Sequence, residues 1–142
     1  MKKVLSLILA VMMLASMAVA VGAENPIKVS VEGEAVALIP DPVIVNDRTL
    51  APMEEMFKAL GIAYALDETS NTIMTMKNGK AAVMQVDNTI FGVDNEQTNL
   101  DVTPQIIEGE IMIPVRAVAE AYGYTVDWIA EERCVVITTS AE

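Results

Sequence analysis

The chain has 142 residues, nine basic and twenty acidic, a formal net charge of −11, and no histidine. That length sets a prior of one domain or two small halves, and that charge argues against binding nucleic acid or anionic membrane surfaces by general attraction. The missing histidine excludes Ser–His and Cys–His nucleophilic catalysis unless a lysine serves as base.

In chain order, Lys2 and Lys3 precede an apolar run over residues 4–15, broken only by Ser6, and small residues follow. This reads as an export signal over residues 1–23, cleaved after Ala23. The competing reading is a retained membrane anchor, because residues 4–23 are about long enough to span a bilayer. Removing the signal leaves seven basic and twenty acidic residues, a net charge of −13. The one cysteine, Cys134, cannot close an internal disulfide, so a hydrophobic core must supply the stability of an exported chain.

From Ile27 the apolar residues Ile27, Val29 and Val31 alternate with Lys28, Ser30 and Glu32, turn at Glu32-Gly33 and return over residues 35–39, which predicts a hairpin. Residues 43–45 and 49–51, joined by Asn46-Asp47, predict a second. Pro52 then opens a helix with Met53, Met56, Phe57 and Leu60 on one face, closed by Gly61. Strands are expected over residues 62–66, 72–76 and 81–86, with polar turns between them. Later, Ile111-Met112-Ile113 runs into Pro114, and Val115, Val118, Ala119 and Tyr122 fall on one helical face, closed by Gly123. The final strand is expected over residues 134–138.

A shift of 62 residues lays Pro52 on Pro114, Gly61 on Gly123, Pro42 on Pro104 and Ile44 on Ile106 without a gap. Turns, helices and strand pairs coincide, which predicts two tandem units, about 27–88 and 89–142. A unit alone has too little apolar surface to offset chain entropy of roughly 1–2 kcal/mol per residue, so the two should fold together. The expected fold class is α+β: duplicated units of antiparallel β-hairpins, each with one short α-helix, packed as a single domain over residues 24–142.

The segments Asn46-Asp47-Arg48-Thr49-Leu50-Ala51-Pro52 and Ile111-Met112-Ile113-Pro114-Val115-Arg116, each followed by a helix and a glycine, resemble the copper amine oxidase N-terminal domain-like family, also called stalk domains. The family pattern is roughly Asn-Gly-Arg-Thr, an apolar pair, proline and arginine, then a helix and a strand ending in Trp-Asp. The second segment keeps Pro114, Arg116, Gly123 and Trp128 but has Ile129 in place of aspartate. The first keeps Arg48, Thr49, Pro52 and Gly61 but has Glu54 where arginine is usual. The resemblance implies a non-catalytic accessory module at the cell surface and no copper site. Copper sites lean on imidazole, which this chain lacks.

Among chemical candidates, Cys134 in its apolar strand reads as a small buried hydrophobe. Glu54/Glu55 and Glu120/Asp127 are the carboxylate pairs a glycosidase-like reading would use. The acidic run over residues 87–101 lacks the spacing of a calcium loop and reads as a solvated turn. Arg116 opposes the helix dipole at a few tenths of a kcal/mol; it is expected either to pair with Glu54 in the other unit or to stand exposed. Trp128 is expected in the core beneath the second helix, an exposed stacking platform being the other reading. No catalytic, cofactor-binding or metal residue is assigned; the motif residues Pro52, Gly61, Pro114, Arg116, Gly123 and Trp128 are structural. The expected function is a secreted, non-enzymatic stalk-type module for binding or spacing at the bacterial cell envelope, with no cofactor. Its expected partners are cell-wall polymer, another envelope protein or a second copy of itself. A small secreted hydrolase using paired carboxylates and a secreted regulatory or inhibitor protein are the alternatives.

Overall fold

The computed structural model describes residues 26–139. The expected export signal lies outside the described residues. Thirteen strands and two helices follow in order: β1 (Lys28–Val31), β2 (Glu34–Ala35), β3 (Val43–Val45), β4 (Arg48–Pro52), α1 (Met53–Leu60), β5 (Ala63–Asp67), β6 (Thr72–Lys77), β7 (Lys80–Gln85), β8 (Ile90–Val93), β9 (Glu96–Asn99), β10 (Gln105–Ile107), β11 (Glu110–Pro114), α2 (Val115–Ala121), β12 (Tyr124–Ile129) and β13 (Cys134–Thr139). Two-residue turns join β1–β2, β3–β4, β6–β7, β8–β9 and β10–β11. Glu108-Gly109 takes left-handed backbone at both positions, φ 53° and 81°, where glycine costs nothing. Asn46-Asp47 does the same at 51° and 64° without a glycine, because short polar side chains tolerate that region.

The strands form three sheets, ordered β12-β13-β1-β2, β10-β11-β4-β3 and β5-β6-β7-β8-β9. At the centre β4 and β11 run antiparallel, with pairs Leu50↔Pro114, Ala51↔Ile113 and Pro52↔Met112. Each strand ends on a proline, which cannot donate to a ladder and hands the chain to a helix. Under the 62-residue shift the register of β3–β4 coincides with β10–β11, β5–β6 with β12–β13, and β1–β2 with β8–β9.

The α+β expectation of two hairpin-and-helix units is overturned. The described chain is mostly β, 52% strand against 13% helix, spread over several sheets. Nor do the hairpins stay grouped by unit. The first hairpin, β1–β2, joins β12–β13 through the parallel pair β1–β13, whereas β8–β9 joins β5–β6 through β7. The helices form where expected, but with eight and seven residues they are too short to make up a layer.

One core cluster fills the space between the sheets and both helices. It includes Met56, Phe57, Ile73, Ile113, Val118 and Ile137, each at most 1% exposed. A smaller cluster gathers Leu50, Val102 and Met112. The predicted face of α1 is buried, with Met53, Met56, Phe57 and Leu60; on α2 Val115, Val118 and Ala119 are buried, whereas Tyr122, expected on the same face, caps the helix and is partly buried. Cys134 is buried as a free thiol.

Thr75 is the buried polar side chain among the described residues. Its hydroxyl donates to the Ala82 carbonyl at 3.0 Å and meets the Tyr122 hydroxyl at 2.7 Å. A threonine has one proton to give, so the Tyr122 hydroxyl is the donor to Thr75. Burial, helped by the Asp94 charge, raises the Tyr122 pKa above the ordinary 10.0. A raised tyrosine pKa stabilises the fold fully below the unfolded value, and that contribution is lost as pH rises through the folded value. Thermal melts between about pH 8 and 11 should therefore fall on the alkaline side. Tyr122→Phe should flatten the fall while costing about 1 kcal/mol at neutral pH. An unchanged alkaline slope would assign it elsewhere, Tyr64 being the next tyrosine raised, by burial and then by Glu54 and Glu55.

Candidate functional site

A groove of about 800 Å³ opens where β4, β8, β9, α2 and β12 come together. Its floor is apolar: Phe91, Val115, Val126 and Val135, each at most 6% exposed. Its rim is polar, with Arg48, Asp101, Arg116, Glu120, Asp127 and the ring of Trp128.

Two guanidinium–carboxylate pairs define that rim. Arg48 begins β4 and reaches Asp101, just after β9, through Nη2 at 2.6 Å and Nε at 3.1 Å, both to the same carboxylate oxygen. Arg116 reaches Glu120 at 3.2 Å, one turn along α2. Both pairs are about half exposed or more, and such pairs contribute at most about 1 kcal/mol. The α2 pair is also placed against the helix: its cation stands in the first turn and its anion in the last, the less favourable order. Fold stability does not account for it.

Trp128 lies on β12 opposite Val135, at the edge of its sheet. It is 40% exposed, which corrects the expectation of a core position beneath α2. Alternation puts Tyr124, Val126 and Trp128 on one face, but the floor of the groove stops short of the third, so its ring meets solvent. The expected pair from Arg116 to Glu54 is also corrected, since Arg116 is taken by Glu120 on its own helix.

Of the motif residues, Pro114, Arg116 and Trp128 meet at the groove. Pro52 is buried at the β4–α1 junction. Gly61 (φ 70°) ends α1, where a Cβ would also sit 3.2 Å from Lys77 Nζ. Gly123 (φ 89°) follows α2. Glu120 and Asp127, paired in the sequence reading, do share the groove, but both are exposed. The acidic run over residues 87–101 divides between turns, β9 and the ion pair of Asp101. Sequence reasoning missed Arg48 with Asp101 as a site pair, because 53 residues separate them and no local pattern joins them.

Among the described residues no cluster of three or more acidic, cysteine or histidine side chains is placed to hold a metal ion, and no helix is long and apolar enough to cross a membrane. No curated protein and no solved structure is significantly similar to the chain. Residues 30–137 do match a family described as the copper amine oxidase N-terminal domain. That match spans three-quarters of the sequence and takes in the central strand pair, both helices and the groove, so the chain belongs to this family of non-catalytic domains.

Proposed function

We propose that the chain is a non-catalytic stalk-type module of the bacterial cell envelope, exported by its N-terminal segment, and that its groove holds an envelope polymer. The half-exposed Trp128 at the mouth of a groove with an apolar floor carries this reading. An aromatic face suits the C–H face of a sugar ring, and the paired guanidinium and carboxylate groups around it suit hydroxyl and amide partners. The α2 ion pair, which contributes little to folding, is in place to do this. The two strand–helix–strand segments are proposed to descend from one ancestral unit; the coinciding hairpin registers and the pairing symmetric about Ala51↔Ile113 support it. The family's name brings no copper here: the sequence has no histidine, and its one thiol is buried.

A pull-down of the protein on purified cell wall and on envelope extract tests the role. Retention on one of them is expected, with Trp128→Ala weakening it on the order of 30-fold and the far-ultraviolet circular dichroism unchanged. Failure of the unaltered protein to bind either would sink the reading.

A further inference from the structure

The charges lining the groove narrow what it can hold. Val126, Asp127 and Trp128 are consecutive on β12, and all three line it. β12 is the edge of its sheet, so the groove follows a free edge, where every second residue turns its amide and carbonyl outward. Thr98 and Asn99 of β9, the edge of the five-stranded sheet, line it too. These neutral groups suit any hydroxyl or amide and do not discriminate by charge. The ionised ones do. Arg48 is held by Asp101 and Arg116 by Glu120, each pair neutral in sum. Asp47, in the β3–β4 turn, and Asp127 also line the groove, and neither takes part in an ion pair among the described residues. The groove thus has two carboxylates in excess, in a chain whose net charge is −11.

We propose that the groove selects an ammonium-bearing glycan, a polymer of amino sugars whose nitrogens are not acylated, with Asp47 and Asp127 as the residues that set this specificity. The inference rests on the reading of the groove as a polymer site, and charge complementarity is what it adds. Sugar rings account for Trp128 and the apolar floor but leave the two carboxylates outside the pairs without a role. A polyanion is repelled by both of them and by the molecule as a whole. A neutral chain displaces water from Asp47 and Asp127 and offers no charge in exchange. An ammonium group offers both a charge and its hydrogen bonds, and the exposed face of Trp128 attracts a cation besides. Because both carboxylates are exposed, each contributes a modest factor, about fivefold in affinity.

Titration calorimetry of the full chain with a short β-1,4-linked glucosamine oligosaccharide and with its fully N-acetylated form, at about pH 6 where amine and carboxylates are both charged, tests this. The free-amine glycan should bind about 20-fold more tightly, by a margin that shrinks as sodium chloride is added. Asp127→Asn and Asp47→Asn should each weaken it about fivefold and leave the N-acetylated glycan bound no more weakly. Asparagine keeps the left-handed backbone of position 47, φ 64°, and melts confirm that both variants fold. Glu34→Gln makes the same change of charge on β2, at the opposite edge of that sheet, and should alter neither affinity. Trp128→Ala should weaken both glycans alike. Equal affinity for the two glycans, a preference that survives both asparagine variants, or an equal loss in Glu34→Gln would each overturn the proposal. So would failure of the free-amine glycan to bind a protein that cell wall retains, whereas failure on the cell wall as well would remove the reading beneath it.

Discussion

Phe57→Ala is expected to lower the melting temperature by roughly 12–25 °C, corresponding to about 3–5 kcal/mol. The side chain is fully buried on α1, faces the central cluster and lies 5.1 Å from the Tyr64 ring, tilted at 44° to it. Its counterpart under the 62-residue shift is Ala119 on α2, equally buried. One helix thus supplies bulk where the other supplies none, so no bulky counterpart on α2 can fill the void. Differential scanning calorimetry of the variant measures the loss. A drop under about 5 °C would show that the core collapses around the cavity.

The second large effect follows from β13. It sits between β12 and β1, pairing along six residues with one and four with the other, and it contributes Val135 and Ile137 to the core. A chain ending at Arg133 therefore loses an internal strand, leaves β12 without a partner and leaves β1 with the two-residue β2 alone. A domain of this size is stabilised by only about 5–15 kcal/mol, and the loss exceeds that range in buried side chains and ladder bonds combined. We expect no cooperative melt and no near-ultraviolet circular dichroism from such a chain. Ile137→Asp, which keeps the length but buries a charge, should behave alike. A cooperative transition in either would show that the remaining strands hold together alone.

Much of this fold was legible because its signals are local. Alternation marked β1, proline and glycine bracketed α1, and apolar spacing named the buried faces of both helices. The prolines Pro52 and Pro114 read correctly as boundaries, although they stand just before the helices rather than within them. What the sequence did not show is which hairpin pairs with which. The exchange of β1–β2 and β8–β9 between sheets depends on pairings across many residues, and β7 looks locally like any other strand. The α+β assignment failed for this reason, since two visible helices outweighed the strands that surround them. The groove was half legible. Arg116 and Trp128 stood out by type, but the exposure of Trp128 and the bond from Arg48 to Asp101 are set by the meeting of distant strands.

The parallel pair β1–β13 has a consequence for the order of events as the chain folds. Glu32 and Thr139, bonded through a side chain and an amide, lie 107 positions apart. Closing so long a loop adds little free energy, because the cost grows only with the logarithm of length, but it slows the rate. In a chain made from its N-terminus β1 can fold back on β2 at once, but it must wait for its second partner, β13, until almost every other strand has been synthesised. The central pair β4–β11 can form earlier, and the sheet around β6 earlier still. Folding is therefore a late, single closing step, and the first strand made is among the last to find its place.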